Sequence, residues 1–294
     1  MSLLKKCKKY GFIYIMIAPV ILYFLIFSYT PLIMGFFQSF QENKLLGDIG
    51  WVGFDNYLEV LQDDSFRKSL INGLIINLGV MAGSIFFAVI VAMGLNEIKN
   101  PFLKSTIQTT SYLPYLFSWT VVGGMWVLIL SPTGLVNGIL EFFSFERVHF
   151  MTNPDYARWI MIITGIWKSI GFYAVLILAA IVGINPNLFE AAQIDGASRF
   201  KQLRKIVVPE IIPTIKVLVI VAMMGLFTNF DQILVMSNPA ILEEIRTPMF
   251  YVYENGILRF NMGIATAAAV IVLILTMIVT AVVSKILSGR WKSV

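Results

Sequence analysis

The sequence predicts an all-α membrane protein, a bundle of six transmembrane helices, and three observations carry that prediction. Of its 294 residues, 58% are hydrophobic and only 13% charged, with a mean hydropathy of +0.80. A soluble domain has about 45–50% apolar and about 25% charged residues. Apolar runs recur at 11–37, 70–95, 108–130, 159–184, 212–237 and 263–287, each long enough to cross a hydrocarbon layer about 30 Å thick. The runs are continuously apolar, whereas the strands of a membrane barrel alternate over segments of about 10 residues, so the spans are helical. Residues 1–294 read as a single transmembrane domain.

The first run follows a basic start, Lys5, Lys6, Lys8 and Lys9. Its apolar stretch is longer than a signal core of about 7–15 residues and no A-x-A site follows, so it reads as a retained span. Orientation follows from the Lys and Arg distribution. With the N-terminus inside, the inner segments hold 14 of the 22 cations, including Lys99, Lys104, Arg199, Lys201, Arg204, Lys205, Lys216 and Lys285. Both termini are therefore expected in the cytoplasm. Twelve of the 17 acidic residues fall outside on the same map, so the net charge of +5 marks topology and gives no support for nucleic-acid binding. The one cysteine, Cys7, has no partner for a disulfide, and the one histidine, His149, sits in a loop without companions for a zinc site.

Between the fourth and fifth runs stands a polar stretch, NLFEAAQIDGASRFKQLRKIVVPEIIP, residues 187–213. Asn187 with Glu190 three positions on reads as a helix-capping pair, and Asp195-Gly196 as a stop, because glycine takes the left-handed conformation at little cost. A second, amphipathic helix is expected over 197–208. Phe200, Leu203 and Val207 lie on one side, Lys201, Arg204 and Lys205 on another, and Pro209 marks its end. From composition alone, such a helix also suits a basic face resting on anionic headgroups, which makes membrane lipid one partner.

The residue order adds to this. EAAQIDGASRFKQLRKIVVPEIIP resembles the EAA loop of permease subunits of binding-protein-dependent ATP-binding-cassette importers, in the form EAAxIDGAS followed by I-x-x-P found in sugar importers. WVGFDNYLEVLQDDSFRKSLING at 51–73 and LPYLFSWTVVGGMWVLILSPTGLVNGIL at 113–140 look like further regions of those permeases. GINPNLFEAA and NPAILEEIRTPMFYVYENGI look like members that handle oligosaccharides from complex glycans. The resemblance implies a type I importer permease forming half of a translocation pore, in a bacterial cell membrane. The implied partners are a second homologous permease, separate ATPase subunits, an extracellular solute-binding protein docked on outer loops including 41–69, and a sugar or oligosaccharide. It also implies that the loop at 186–210 is a coupling helix seated on the ATPase. There Glu190 would be an ionic anchor, Ala191 and Ala192 a close-contact surface, and Asp195, Gly196 and Ala197 the turn.

The chain has no G-x-x-x-x-G-K-[ST] motif, so a phosphate cradle must come from another polypeptide. ATP and magnesium belong to the partner ATPase, and this chain is expected to be a transport subunit without catalytic, cofactor or metal residues. For the substrate pathway, ionisable residues within spans cost about 2.5–3.5 kcal/mol each, so they face a cavity or a partner. Lys168 and Asp231 are such residues, placed to line a pathway or to pair with each other, and Lys168 sits near enough to its span's outer end to snorkel. Asn229, Phe230, Asp231 and Gln232, with Trp167 and Tyr173, offer amides, a carboxylate and rings suited to sugars. Asn72 and Asn77 suit helix–helix hydrogen bonds equally well.

Two other readings compete. One is an importer of another solute, an amino acid or a polyamine, using the same loop. The other is a membrane-embedded lipid-linked transferase, for which Asp63-Asp64 is the nearest acidic pair.

Overall fold

In the computed structural model the described residues are 11–42 and 50–288. Cys7, its neighbouring lysines, Lys44, Arg290 and Lys292 lie outside them. The chain folds as two units, residues 1–63 with 252–271, and residues 64–251 with 272–294.

The first unit begins with α1, Gly11–Gln38, a 28-residue apolar helix. A wide turn at Leu25–Tyr29 lies within it, in which Thr30 N–H reaches Leu25 O. The turn ends two residues before Pro31. A proline can neither donate to the carbonyl four residues back nor avoid crowding it, and a widened turn upstream relieves that conflict without ending the helix. A two-residue antiparallel hairpin, β1 Gln41–Glu42 and β2 Gly50–Trp51, follows with Gln41 opposite Trp51. Among the described residues the fold is therefore helical with one small hairpin. Phe40 anchors that hairpin, stacked on Trp51 at 5.5 Å between ring centres and edge-on to Phe54. Asn56, in α2 (Asp55–Gln62), ties it down by donating to Ser39 O and Gln41 O at 2.9 and 3.0 Å.

The second unit is built on α3, Asp64–Glu97, and α7, Pro154–Val182. Both are long enough and apolar enough to cross a membrane. They pack through small residues. A Cβ on Gly83 would lie 2.2 Å from Ile166, one on Gly79 2.9 Å from Ile162, and one on Gly165 2.6 Å from Val80. The Gly79-x-x-x-Gly83 spacing thus opens two notches for a pair of isoleucines one turn apart. This close approach drives helix association where no hydrophobic effect operates between helices. The lower half closes in an apolar core of Ala88, Ala92, Leu95, Ile177, Ile181, Val207 and Ile211.

The third apolar run, expected as one helix over 108–130, is instead two. α4, Pro101–Leu116, and α5, Trp119–Ile129, are bent by 99° away from a straight line. α4 lies so close to α7 that a Cβ at Gly171 would be 2.0 Å from Ser111 O. After α5 comes the short α6, Leu135–Phe142.

The fifth run is also corrected. α9 runs Arg199–Met224 as one 26-residue helix, so Pro209 does not terminate the segment that precedes it. A second wide turn, Leu203–Val207, with Val208 N–H on Leu203 O, takes up the proline. The helix then stops at Met224, well before the expected 237, and the chain turns through 225–230 into α10, Asp231–Met236. Two short helices, α11 Leu242–Ile245 and α12 Pro248–Tyr253, lead to the last long helix, α13 Met262–Ser288. Among the described residues, five helices are long and apolar enough to span, six if α4 and α5 count as one.

Three helix starts share one sequence device. Asn100, Asn153 and Asn185 each accept backbone N–H donors from the first turn, with Pro101, Pro154 and Pro186 next. The proline has no N–H to leave unpaired, and its fixed φ suits the first helical position.

Gly171→Val is expected to destabilise the protein by about 1–3 kcal/mol or more, because the new side chain meets backbone and not a movable neighbour. A fluorescence-detected melting curve in detergent checks this.

Candidate functional sites: the polar loop and the cavity at the broken span

The polar stretch folds as α8, Pro186–Ile194, followed by a turn and the start of α9. Asn185, not Asn187, caps α8 by accepting from Asn187 N–H at 3.0 Å. Glu190 therefore lies past the first turn and closes no capping box. The reason is Pro186, which fixes the first helical position one residue before Asn187. The stop at Gly196 is as expected. Its φ is +68°, Gly196 N–H reaches Gln193 O at 3.0 Å and Ala197 N–H reaches Ala192 O at 2.8 Å. These two bonds are the paired closure of a left-handed helix end. Ser198 then caps α9 by accepting from Lys201 N–H.

Glu190, Ala191, Asp195 and Gly196 are exposed, while Ala192 and Ala197 are half-buried. Glu190 has no ion-pair partner among the described residues. Phe189 turns inward onto the apolar core, which fixes α8 to the bundle and leaves its other face free. Ile194, at the end of α8, which the sequence did not single out, is 87% exposed, and Phe200, in the first turn of α9, is 72% exposed. Phe200 does not join Val207 on the buried side as the amphipathic pattern suggested. Apolar side chains inside an otherwise polar loop were the available signal.

The second site is the break between α4 and α5. Phe117 and Ser118 are extended there, so the last carbonyls of α4 lose the amides that would meet them in a straight helix. Lys168, on α7, supplies the missing donors. Its Nζ donates to Pro114 O at 3.3 Å, Tyr115 O at 2.9 Å and Phe117 O at 2.7 Å, and lies over the rings of Tyr115 and Trp119 at 5.4 and 5.6 Å. Lys168 is only 8% exposed. It does not snorkel outward, and it makes no ion pair with Asp231. Both residues nonetheless line one cavity of about 500 Å³, together with Tyr115, Phe117, Ser118, Trp119 and Thr120.

The other residues expected along a substrate pathway separate. Gln232 is 1% exposed, and its amide donates to Met161 O at 2.8 Å and Thr164 Oγ1 at 3.0 Å. It accepts from Asn229 Nδ2 at 3.0 Å. Both amides are thus spent on holding α10 against α7. Gln232 is corrected from a wall residue to an internal tie, because consecutive residues of α10 project about 100° apart, so that Asp231 lines the cavity while Gln232 is buried. Phe230 packs near Phe250. Trp167 meets Trp126 edge-on at 5.5 Å, and Tyr173 packs on the lower core. The rings that line the cavity with Asp231 are those of Tyr115, Phe117 and Trp119, which nothing in the sequence pattern singled out.

A third cluster was invisible in the sequence. Glu244, in α11, receives Lys68 Nζ at 2.7 Å and Arg158 Nη2 at 2.6 Å. Arg158 also donates to Asn72 Oδ1 at 2.9 Å, and Asn72 Nδ2 donates to Glu243 O and Arg246 O. Asn72 and Asn77 are both structural, the latter binding Leu226 O at 2.7 Å. The clamp ties α11 to α3 and α7. The Lys68 hydrogen bond, helped by the Arg158 and Lys68 charges, holds the Glu244 carboxyl below its usual range against the opposing effect of burial.

Among the described residues, five to six helices long and apolar enough to span, one of them broken, with a capped polar helix and glycine turn between two of them, are what a multi-pass transport permease has. The chain belongs to the family of binding-protein-dependent transport system inner membrane components, whose profile matches residues 84–293. It is accordingly a protein of the bacterial plasma membrane and a transport subunit, not an enzyme.

Over 275 residues it is 33% identical to the polygalacturonan/rhamnogalacturonan transport system permease protein YteP of Bacillus subtilis (strain 168), covering 91% of this chain and 85% of that one. A crystal structure of a bacterial ABC transporter involved in the import of the acidic polysaccharide alginate matches with a TM-score of 0.89 at 31% identity, over 98% of both chains. The bacterial alginate ABC transporter in complex with alginate pentasaccharide-bound periplasmic protein matches with a TM-score of 0.87 at 32% identity, over 96% of both.

Because the folded Glu244 titrates below its unfolded counterpart, its stabilisation is complete above the ordinary value of 4.5 and is lost as pH falls through the depressed one. Glu244→Gln is expected to lower stability by about 1 kcal/mol at neutral pH, with the difference between wild type and variant shrinking as pH falls through the depressed value. A difference that persists in acid would show that the carboxylate charge is not what holds the clamp.

Proposed function

We propose that this chain is one permease subunit of an ATP-driven importer of sugars or oligosaccharides, its spans acting as one translocating domain with both termini in the cytoplasm. The observation that carries the reading is the match to the alginate importer over 98% of both chains at 31% identity. The named cargo of YteP and the sugar form of the loop, EAAQIDGAS, support it. A second permease completes the pore, ATP and magnesium are held by separate ATPase subunits, and a solute-binding protein delivers cargo to the outer loops.

In this reading α8 is the coupling helix. Glu190 is exposed and free to meet a cation in the ATPase groove, Ala191 and Ala192 permit close approach, and the Asp195-Gly196-Ala197 turn sets the angle at which α9 leaves. Ile194 and Phe200 supply apolar anchors at the same surface. Because α8 is fixed to the lower core through Phe189, a push on the loop moves α7 and α9 together. Asp231 is the pathway residue, with Asn229 and Phe230 positioning the turn that presents it, and with Trp167, Lys168 and Tyr173 forming the supporting wall on α7. A carboxylate beside three aromatic rings and three hydroxyl-bearing side chains suits sugar hydroxyls and C–H faces.

Glu190→Lys is expected to abolish uptake and co-purification of the ATPase while the variant still folds into the membrane. Uptake and stimulated ATP hydrolysis that both survive would remove Glu190 from the coupling contact. Asp231→Ala is expected to leave the complex assembled and to lower uptake by about tenfold or more, roughly what loss of one charged hydrogen-bonding partner brings. Unchanged uptake across a panel of neutral and acidic oligosaccharides would sink its pathway role.

A further inference from the structure

We infer that Lys168 is the positioning residue that holds the third span broken, and that it does so by standing in for three backbone amides. In a straight helix the carbonyls of Pro114, Tyr115 and Phe117 would be met by the amides of Ser118, Trp119 and Val121, four residues on. The break at Phe117 and Ser118 carries those amides away into the first turn of α5. Unmatched carbonyls at membrane depth are strongly unfavourable.

One lysine ammonium has three hydrogens and no acceptor, and all three are used here on three carbonyls. Its charge also faces the negative end of α4, where a cation stabilises a helix end. Two rings complete the surround.

With every hydrogen engaged and the side chain 8% exposed, Lys168 has no donor left for cargo in this state. Its role as a cap goes beyond the transport reading and holds whatever the cargo is. Lys168 acts on the pathway indirectly, by fixing where Ser118, Trp119 and Thr120 stand across the cavity from Asp231. Gly171, three residues along α7, brings α4 within reach of that side chain, so helix approach and cap form one device.

The test measures the angle of the break itself. Spin labels at Phe102 and Leu128, both strongly exposed, are placed in the full chain with Cys7→Ser, assembled with its partner subunits in lipid nanodiscs. A 99° bend away from straight between the two arms puts the backbone positions about 25 Å apart, whereas a straight helix would put them about 39 Å apart. The wild type is expected to give one narrow distribution near the shorter distance. Lys168→Met, which keeps the length and loses the hydrogens, is expected to broaden it toward the longer one. Lys168→Arg and Asp231→Asn are expected to keep the narrow distribution.

A companion measurement is ATP hydrolysis stimulated by the loaded binding protein. In Lys168→Met it is expected to fall roughly tenfold, with the KM for ATP unchanged, since misplaced groups cost turnover without touching the ATP site. An unchanged distribution in Lys168→Met would overturn the inference. So would equal broadening in Asp231→Asn, which would make the lysine half of an ion pair. Should Lys168→Met not assemble, Lys168→Arg decides: the native distribution supports the cap, and a broadened one counts against it.

Discussion

A polypeptide in hydrocarbon has to satisfy its own backbone, and the architecture of this bundle follows from how that is achieved where a span is interrupted. The α4–α5 break leaves carbonyls without amides, and the solution is a single buried cation on a neighbouring helix. The location of that cation follows from packing. α7 carries Gly171 against the backbone of α4 and Gly165 against Val80 of α3, so the helices lie close enough for one lysine stem to reach the break. A cavity walled by the start of α5 and by Asp231 is the result. The charge arrangement is self-consistent. The cation faces the carbonyl end of α4, while the carboxylate shares its cavity with the amide end of α5, each where a helix dipole favours it.

The two wide turns express the same constraint at prolines. Thr30-Pro31 and Val208-Pro209 each follow a turn in which the preceding residue bonds five positions back. A helix can then run through proline without leaving the bundle. For α9 this has a mechanical consequence, because the helix that starts at the polar loop continues unbroken to Met224. A displacement at Ser198 is carried along a single rod to the turn that presents Asp231. At the other side of the loop, the paired hydrogen bonds around Gly196 make the junction between α8 and α9 a defined corner and not a hinge of free length. The exposed pair Arg199 and Glu97, at 3.1 Å, adds only a little to that junction.

Much of this was legible in the sequence, and the misses have physical causes. The number of apolar runs, the capped helix and the glycine stop follow from composition and local chemistry, which act over a few residues. The Asn-Pro starts were equally local, and Asn185-Pro186 overrode the weaker capping signal at Asn187. The break near Phe117 was not legible. The run stays apolar through it, and the donor that permits it, Lys168, lies in a different apolar run. For the same reason Lys168 looked like a partner for Asp231, since two opposite charges inside spans suggest a pair when backbone acceptors are out of view. Gln232 beside Asp231 read as one polar patch because which side of α10 is buried is set by tertiary contacts with Met161 and Thr164. The Glu244 clamp joins residues from three distant segments, each an ordinary surface charge on its own.

Coupled transport by this chain requires that the polar loop face the cytoplasm, where a separate ATPase can seat on it and move the bundle. Labelling of Ile194→Cys in a Cys7→Ser background by a membrane-impermeant maleimide reads out both the side and the contact. The expected pattern is no labelling from outside intact cells, full labelling in inside-out vesicles stripped of the ATPase, and protection when the ATPase is restored. Labelling from the outer face, or labelling that the ATPase leaves unchanged, would place the coupling contact elsewhere and contradict the assignment of α8.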